Sequence, residues 1–212
     1  PYFSLIGNLG NSHKSLVSSI TPECCPNAYL KPSFFIIFLN SRLYSPNGYE
    51  KNSDFFSYPF GEYSNNFKNI IKDFGFKYAF GQHSGVIDET KDLWELPRFP
   101  INEKYGEIDR FKTLMKTLPL KFKNITPKDR YLVQSKNPPE VKIEFYENIN
   151  NLNLISCYSN EGNRWRNSKI KFINENILKI TIDEKFIGER GRINCSLREK
   201  NGFWRWLGIQ YV

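Results

Sequence analysis

Histidine and methionine are almost absent from this 212-residue chain, which has two of the first, His13 and His83, and one of the second. Any imidazole chemistry must therefore pass through those two positions. Long apolar runs are missing too. The longest, Phe34 to Leu39, is far too short to cross a bilayer and reads as a buried strand, so no transmembrane segment is expected. The formal net charge is +8, yet no run of five or six basic residues occurs. The lysines stand singly (Lys68, Lys72, Lys77, Lys112, Lys116), many of them on helix faces that read as solvated. That spacing gives no basic track for a phosphate backbone, so no nucleic-acid partner is expected. Solubility, or weak attraction to an anionic cell surface, is the use this charge suggests. The chain opens at Pro1 without Met, charged n-region or apolar h-region, and its true start is expected upstream.

Aromatic residues are abundant, at 16% of the chain. A flat ring packs equally well on a side chain or on a pyranose face, so this excess suits either β-sheet cores or sugar platforms. There are four cysteines. Cys24 and Cys25 are adjacent, while Cys157 and Cys195 lie in separate strand-like segments. Cys157 shares a face with Ile155, and Cys195 with Ile193 and Leu197, so both sulfurs point into one small core. This phase predicts an inter-strand or inter-sheet disulfide, the alternative being two buried free thiols. A disulfide in turn points to an oxidising compartment: periplasm, cell envelope or secreted.

Residues 1–50 are poorly defined, mixing turn residues with the one apolar run. From Asp54 the pattern sharpens. Phe55 to Tyr58 reads as a strand ending in the turn Pro59-Phe60-Gly61. Ser64 is an N-cap for a helix with Phe67, Ile70, Ile71 and Phe74 on one face; Gly75 ends it, and Phe76 to Phe80 forms the next strand. A strand–helix–strand unit this short implies a parallel crossover. A second helix, from about Ile108 to Leu118, is expected to bury Ile108, Phe111, Leu114, Met115 and Leu118. Residues 121–140, polar and proline-bearing, read as a linker. Residues 141–212 hold six short alternating segments, Val141–Tyr146, Leu152–Tyr158, Lys169–Ile173, Ile177–Ile182, Arg192–Leu197 and Phe203–Val212, which predict a small β-sandwich.

The series Phe55-Phe56-Ser57-Tyr58-Pro59-Phe60-Gly61-Glu62-Tyr63, then Gly75-Phe76, Ala79-Phe80-Gly81-Gln82-His83-Ser84-Gly85-Val86, Leu96-Pro97-Arg98-Phe99-Pro100 and Asp109-Arg110-Phe111, closely resembles the polysaccharide deacetylase (NodB-like) family of carbohydrate esterases. Cys157-Tyr158, Arg190-Gly191-Arg192-Ile193-Asn194-Cys195 and Trp204-Arg205-Trp206-Leu207-Gly208 are similar to its subgroup with a C-terminal β-domain. The resemblance covers most of residues 54–212. It implies an α/β fold, a partial, deformed β/α barrel in residues 1–120, followed by the β-sandwich. It further implies a metal-dependent hydrolase that removes acetyl groups from an N- or O-acetylated polysaccharide. In that family a divalent metal, usually zinc, polarises the acetyl carbonyl and activates a water, an Asp acts as base and a His as acid. The N–H of Phe60 would complete the oxyanion site.

The departures are equally specific. The family's Thr-Phe-Asp-Asp-Gly motif occurs nowhere in the chain, and two histidines cannot serve as two ligands plus an acid. The stretch from Ile6 to Leu16 looks like the His-x3-His segment with Leu9 in the first ligand position. On that reading His13 is the surviving metal ligand; otherwise it is a loop residue in a Gly/Asn-rich turn. His83 is either groove-lining or structural. Arg98 either orients the catalytic carboxylate, as the resemblance implies, or is a surface Arg on a turn. Tyr58, Pro59 and Tyr63, with Phe60, are the candidate groove residues, at least one of Tyr58, Phe60 and Tyr63 being expected in the core. The chain is thus expected to be an incomplete or inactive member of the family, the alternative being a non-catalytic glycan-binding module derived from it.

Overall fold

The computed structural model describes residues 54–212 apart from Lys104, Asn148 and Glu189. Strand β1 (Phe55–Ser57) pairs in parallel with β2 (Tyr78–Phe80), Phe55 lying opposite Tyr78. Helix α1 (Asn65–Asp73) makes the crossover. It starts where predicted because the Ser64 hydroxyl oxygen accepts from the Phe67 N–H at 3.2 Å. It ends where Gly75 takes a φ of +79°, a conformation that costs a residue with a Cβ. Phe67 and Ile71 are fully buried against Phe56, Tyr58 and Phe76, with Ile70 and Phe74 half-buried beside them. Burial of each such side chain stabilises by about 1.5–3 kcal/mol.

Among the described residues the winding goes no further, and the expected β/α barrel is not formed. A barrel needs the parallel β–α repeat to continue until the sheet closes. Here Leu96 adds a single parallel bridge to Phe80, and the chain then departs. Helix α2 (Ile108–Met115) leads to β3 (Leu118–Pro119), which joins a different sheet. The described residues are mostly β, with two α-helices and sheets of two, five and four strands. Helix α2 also corrects the expected apolar contact. Ile108, Phe111 and Met115 are 62%, 40% and 71% exposed while Leu114 and Leu118 are half-buried, so among the described residues most of the periodic face is uncovered.

The rest is two facing sheets. One holds β4 (Phe122–Thr126), β5 (Val141–Phe145), β9 (Ile177–Thr181) and β8 (Lys169–Phe172) in that order, all antiparallel. The other runs β3, β11 (Trp204–Tyr211), β10 (Gly191–Arg198), β6 (Ser156–Ser159) and β7 (Arg166–Asn167). Alternation sets the inward faces: Val141, Ile143 and Phe145 from one sheet meet Ile193, Cys195, Leu197 and Ile209 from the other in one core. Register places Cys157 opposite Cys195, and the two form a disulfide with Cα atoms 4.0 Å apart. The bridge is therefore between neighbouring strands of one sheet. Residues 121–140 are not simply a linker, since Phe122–Thr126 forms the outer strand β4 with Ile125 buried.

The α/β unit docks on the five-stranded sheet. Gly85 forms an antiparallel bridge with Leu207, and Phe99 packs edge-on to Trp206 at 5.8 Å. A Cβ at Gly208 would collide with the Ser84 carbonyl oxygen, so a glycine is needed at this contact.

Candidate functional site

The site is built around the turn that follows β1. Pro59, with its preset φ, opens one turn of 3-10 helix over Pro59–Gly61. Phe60 and Gly61 then take φ of +56° and +73°. Gly61 has no room for a side chain, because a Cβ would lie 2.6 Å from the Gln82 backbone nitrogen. Two side chains of the β-sheets grip this turn. Arg190 Nη1 donates to the Phe60 carbonyl at 2.6 Å and to Gln82 Oε1 at 2.8 Å. Gln210 Nε2, fully buried on β11, donates to the Gly61 carbonyl at 2.9 Å. Both turn carbonyls are thus held from the sandwich side, across separations of 130 and 149 residues.

Arg98 reaches the same end of β1. Its Nη1 donates to Ser57 Oγ at 3.0 Å, two residues before Pro59, while its N–H donates to the His83 carbonyl at 3.0 Å. Pro59, Phe60 and Arg98 therefore meet beyond the carboxyl end of a parallel strand, where open α/β sheets bind ligands.

Tyr58 and Tyr63 are not groove walls. Both are 1% exposed, with rings 4.8 Å apart, and the Tyr58 hydroxyl donates to the Trp94 carbonyl at 3.0 Å. Tyr58 falls in phase with Phe56, so the strand turns it toward α1 and the core. His83 is also buried, with Nδ1 lacking a partner and facing Gly81. Burial above all, helped by the charges of Arg130 and Lys91, lowers its pKa to about 4, so the imidazole is neutral. It lines a cavity of about 170 Å³ between the α/β unit and the sandwich, shared with Glu95, Arg130 and Trp206.

The charges at that cavity are paired. Glu95 accepts from Arg130 Nε at 2.8 Å and from Lys68 Nζ at 3.2 Å, and Lys68 also meets Asp92 at 2.9 Å. Burial opposes ionisation of Glu95, but the positive charges of Arg130 and Lys68 outweigh it and hold the carboxyl at about pKa 2. This group ties the α/β unit to the sandwich and offers no nucleophile. His13, the proposed metal ligand, lies outside the described residues. Among the described residues no group of three or more His, Cys, Asp or Glu could hold a metal ion, and the one histidine is enclosed against Gly81. The described residues do not fit a catalytic zinc.

No protein-family model matches the chain, and no curated protein matches it. Neither comparison indicates the polysaccharide deacetylase family. Arg190, Gln210, Gln82, Glu95 and Arg130 escaped the sequence reading as functional or connecting groups. Arg190 was visible only as part of a motif, and nothing local signals that its side chain reaches back to residue 60.

Proposed function

We propose that the chain is an exported protein of the polysaccharide deacetylase type that holds an acetylated polysaccharide against the Pro59–Gly61 turn. The supporting observation is that turn: left-handed at Phe60, seated at the carboxyl end of a parallel strand, and clamped from behind by Arg190 and Gln210. A rigid turn is what stabilisation of a tetrahedral oxyanion asks of a backbone N–H, because a preorganised donor need not reorient as charge develops. Arg98 beside it supplies a cation at the same end of the strand. The Cys157–Cys195 disulfide fits an oxidising compartment.

Hydrolysis is the activity such a turn serves, but the Asp-Asp pair is absent from the sequence. The second reading, a glycan-binding protein without turnover, draws on that absence and on the two-histidine count. One experiment separates them. Purified chain is incubated with acetylated chito-oligosaccharides and zinc; binding is followed by calorimetry and acetate release by a coupled assay. Binding without acetate release is the expected result. Release that a chelator abolishes and zinc restores would establish the hydrolase reading for this chain alone, and absence of binding would discard both.

A further inference from the structure

Arg190 and Arg192 stand two residues apart at the start of β10, next to the gripped turn. The well-buried basic side chains elsewhere each have a carboxylate partner: Lys68 with Glu95, Lys91 with Asp88, Arg130 with Glu95, Arg205 with Glu199. Among the described residues Arg190 and Arg192 have none. Arg190 is held by two neutral oxygens, those of Phe60 and Gln82. The Arg192 side chain makes no hydrogen bond among the described residues, and its Nε is enclosed. Burial and the neighbouring charge of Arg190 both lower the Arg192 pKa, so the two guanidinium groups repel each other in partly dry surroundings.

The pair has a defined place. Arg192 lies opposite Gln210, the residue that holds the Gly61 carbonyl, on the outer face of the five-stranded sheet. Tyr158 shares that face, opposite Asn194, and is 45% exposed. Cation pair and aromatic ring thus run outward from the turn along one surface. A desolvated cation pair without a counter-charge destabilises a fold, and its presence beside a binding turn is explained when a ligand supplies the anion. Guanidinium presents a planar fork of donors that matches a carboxylate.

We propose that Arg190 and Arg192 form an anion subsite for an acidic sugar, so that the polysaccharide bound at the Phe60–Gly61 turn carries uronic-acid carboxylates. This rests on the glycan-binding reading above. The test is calorimetric titration, at low salt, with oligouronates, neutral chito-oligosaccharides and sulfated oligosaccharides of matched length. Oligouronates are expected to bind about tenfold tighter than the neutral series, and Arg192→Gln to remove that advantage while leaving neutral binding unchanged. The melting temperature of Arg192→Gln should equal or exceed that of the parent, because no partner among the described residues is lost. A lower melting temperature would give Arg192 a structural role and overturn the subsite. So would equal affinity for neutral and acidic oligomers, an outcome that leaves the glycan-binding reading intact. Preference for the sulfated series would overturn the carboxylate assignment. Failure of every oligosaccharide to bind would overturn the subsite together with the reading beneath it.

Discussion

At His83 the fold opposes a proton that the unfolded chain accepts. The folded pKa of about 4 lies below the ordinary 6.5, so between these values the unfolded state binds more protons. The resulting stability is complete above about pH 6.5 and is lost as pH falls toward 4. Taking the chain from about pH 7.5 to about pH 5 should cost about 2 kcal/mol from this residue alone. Urea titrations at the two pH values read the difference, and His83→Gln should remove most of it. An unchanged pH dependence in the variant would show that His83 is not the group responsible. Tyr58 and Tyr63 teach a related lesson at the same scale. Aromatic residues beside the Pro59–Gly61 turn look like sugar platforms, but both tyrosines pack into the core with Phe56 and Phe67.

Among the elements, β6 and β10 are joined twice, by their ladder and by the Cys157–Cys195 bridge. The cysteines are 38 residues apart in sequence, and closing a loop of that size restricts the unfolded chain by about 4 kcal/mol on the chain-entropy account. Reduction, or Cys157→Ala with Cys195→Ala, should therefore lower unfolding stability by about 2–4 kcal/mol. Denaturant midpoints with and without reductant measure it, and identical midpoints would mean that the bridge adds nothing to the sheet. The two helices differ in another way. Both show an apolar face at helical spacing, yet α1 rests on β1 and β2 while α2 leaves Ile108 and Met115 in solvent. Periodicity reports that a face exists and is silent on what covers it.

Across the described residues, the α/β unit and the sandwich are held by polar contacts as well as by packing. Glu95 and Lys68 come from one side and Arg130 from the other. Without Arg130 the enclosed Glu95 carboxylate keeps Lys68 as its partner but loses a charge-assisted hydrogen bond, so Arg130→Met should destabilise by about 2 kcal/mol. Chemical denaturation with the Glu95→Gln and Arg130→Met double-mutant cycle tests this; additive effects would show that the two do not interact. Glu95 also defines an acid limit separate from that of His83. Its folded pKa of about 2 lies below the ordinary 4.5, so its contribution is full above about pH 4.5 and is lost as pH falls toward 2.

Much of the local structure could be read from residues 54–212 directly. Capping at Ser64 and the left-handed Gly75 bounded α1, and two-residue alternation located the strands from Val141 to Tyr211 except the short β7, although Leu152–Leu154 forms a 3-10 turn before β6. The shared inward phase of Cys157 and Cys195 brought the two sulfurs together. These features are local, because capping and strand phase depend on a few neighbouring dihedrals. The β4 strand was missed because Phe122–Thr126 alternates weakly and is flanked by lysine and proline. The barrel is not formed among the described residues, and nothing in one strand–helix–strand unit says whether the winding continues. The grip of Arg190 and Gln210 on residues 60 and 61, and the tie of Arg130 to Glu95, lay beyond any pattern in the chain. Such contacts join segments 35 to 149 residues apart, and only the packing of one layer on another decides which side chain reaches which carbonyl.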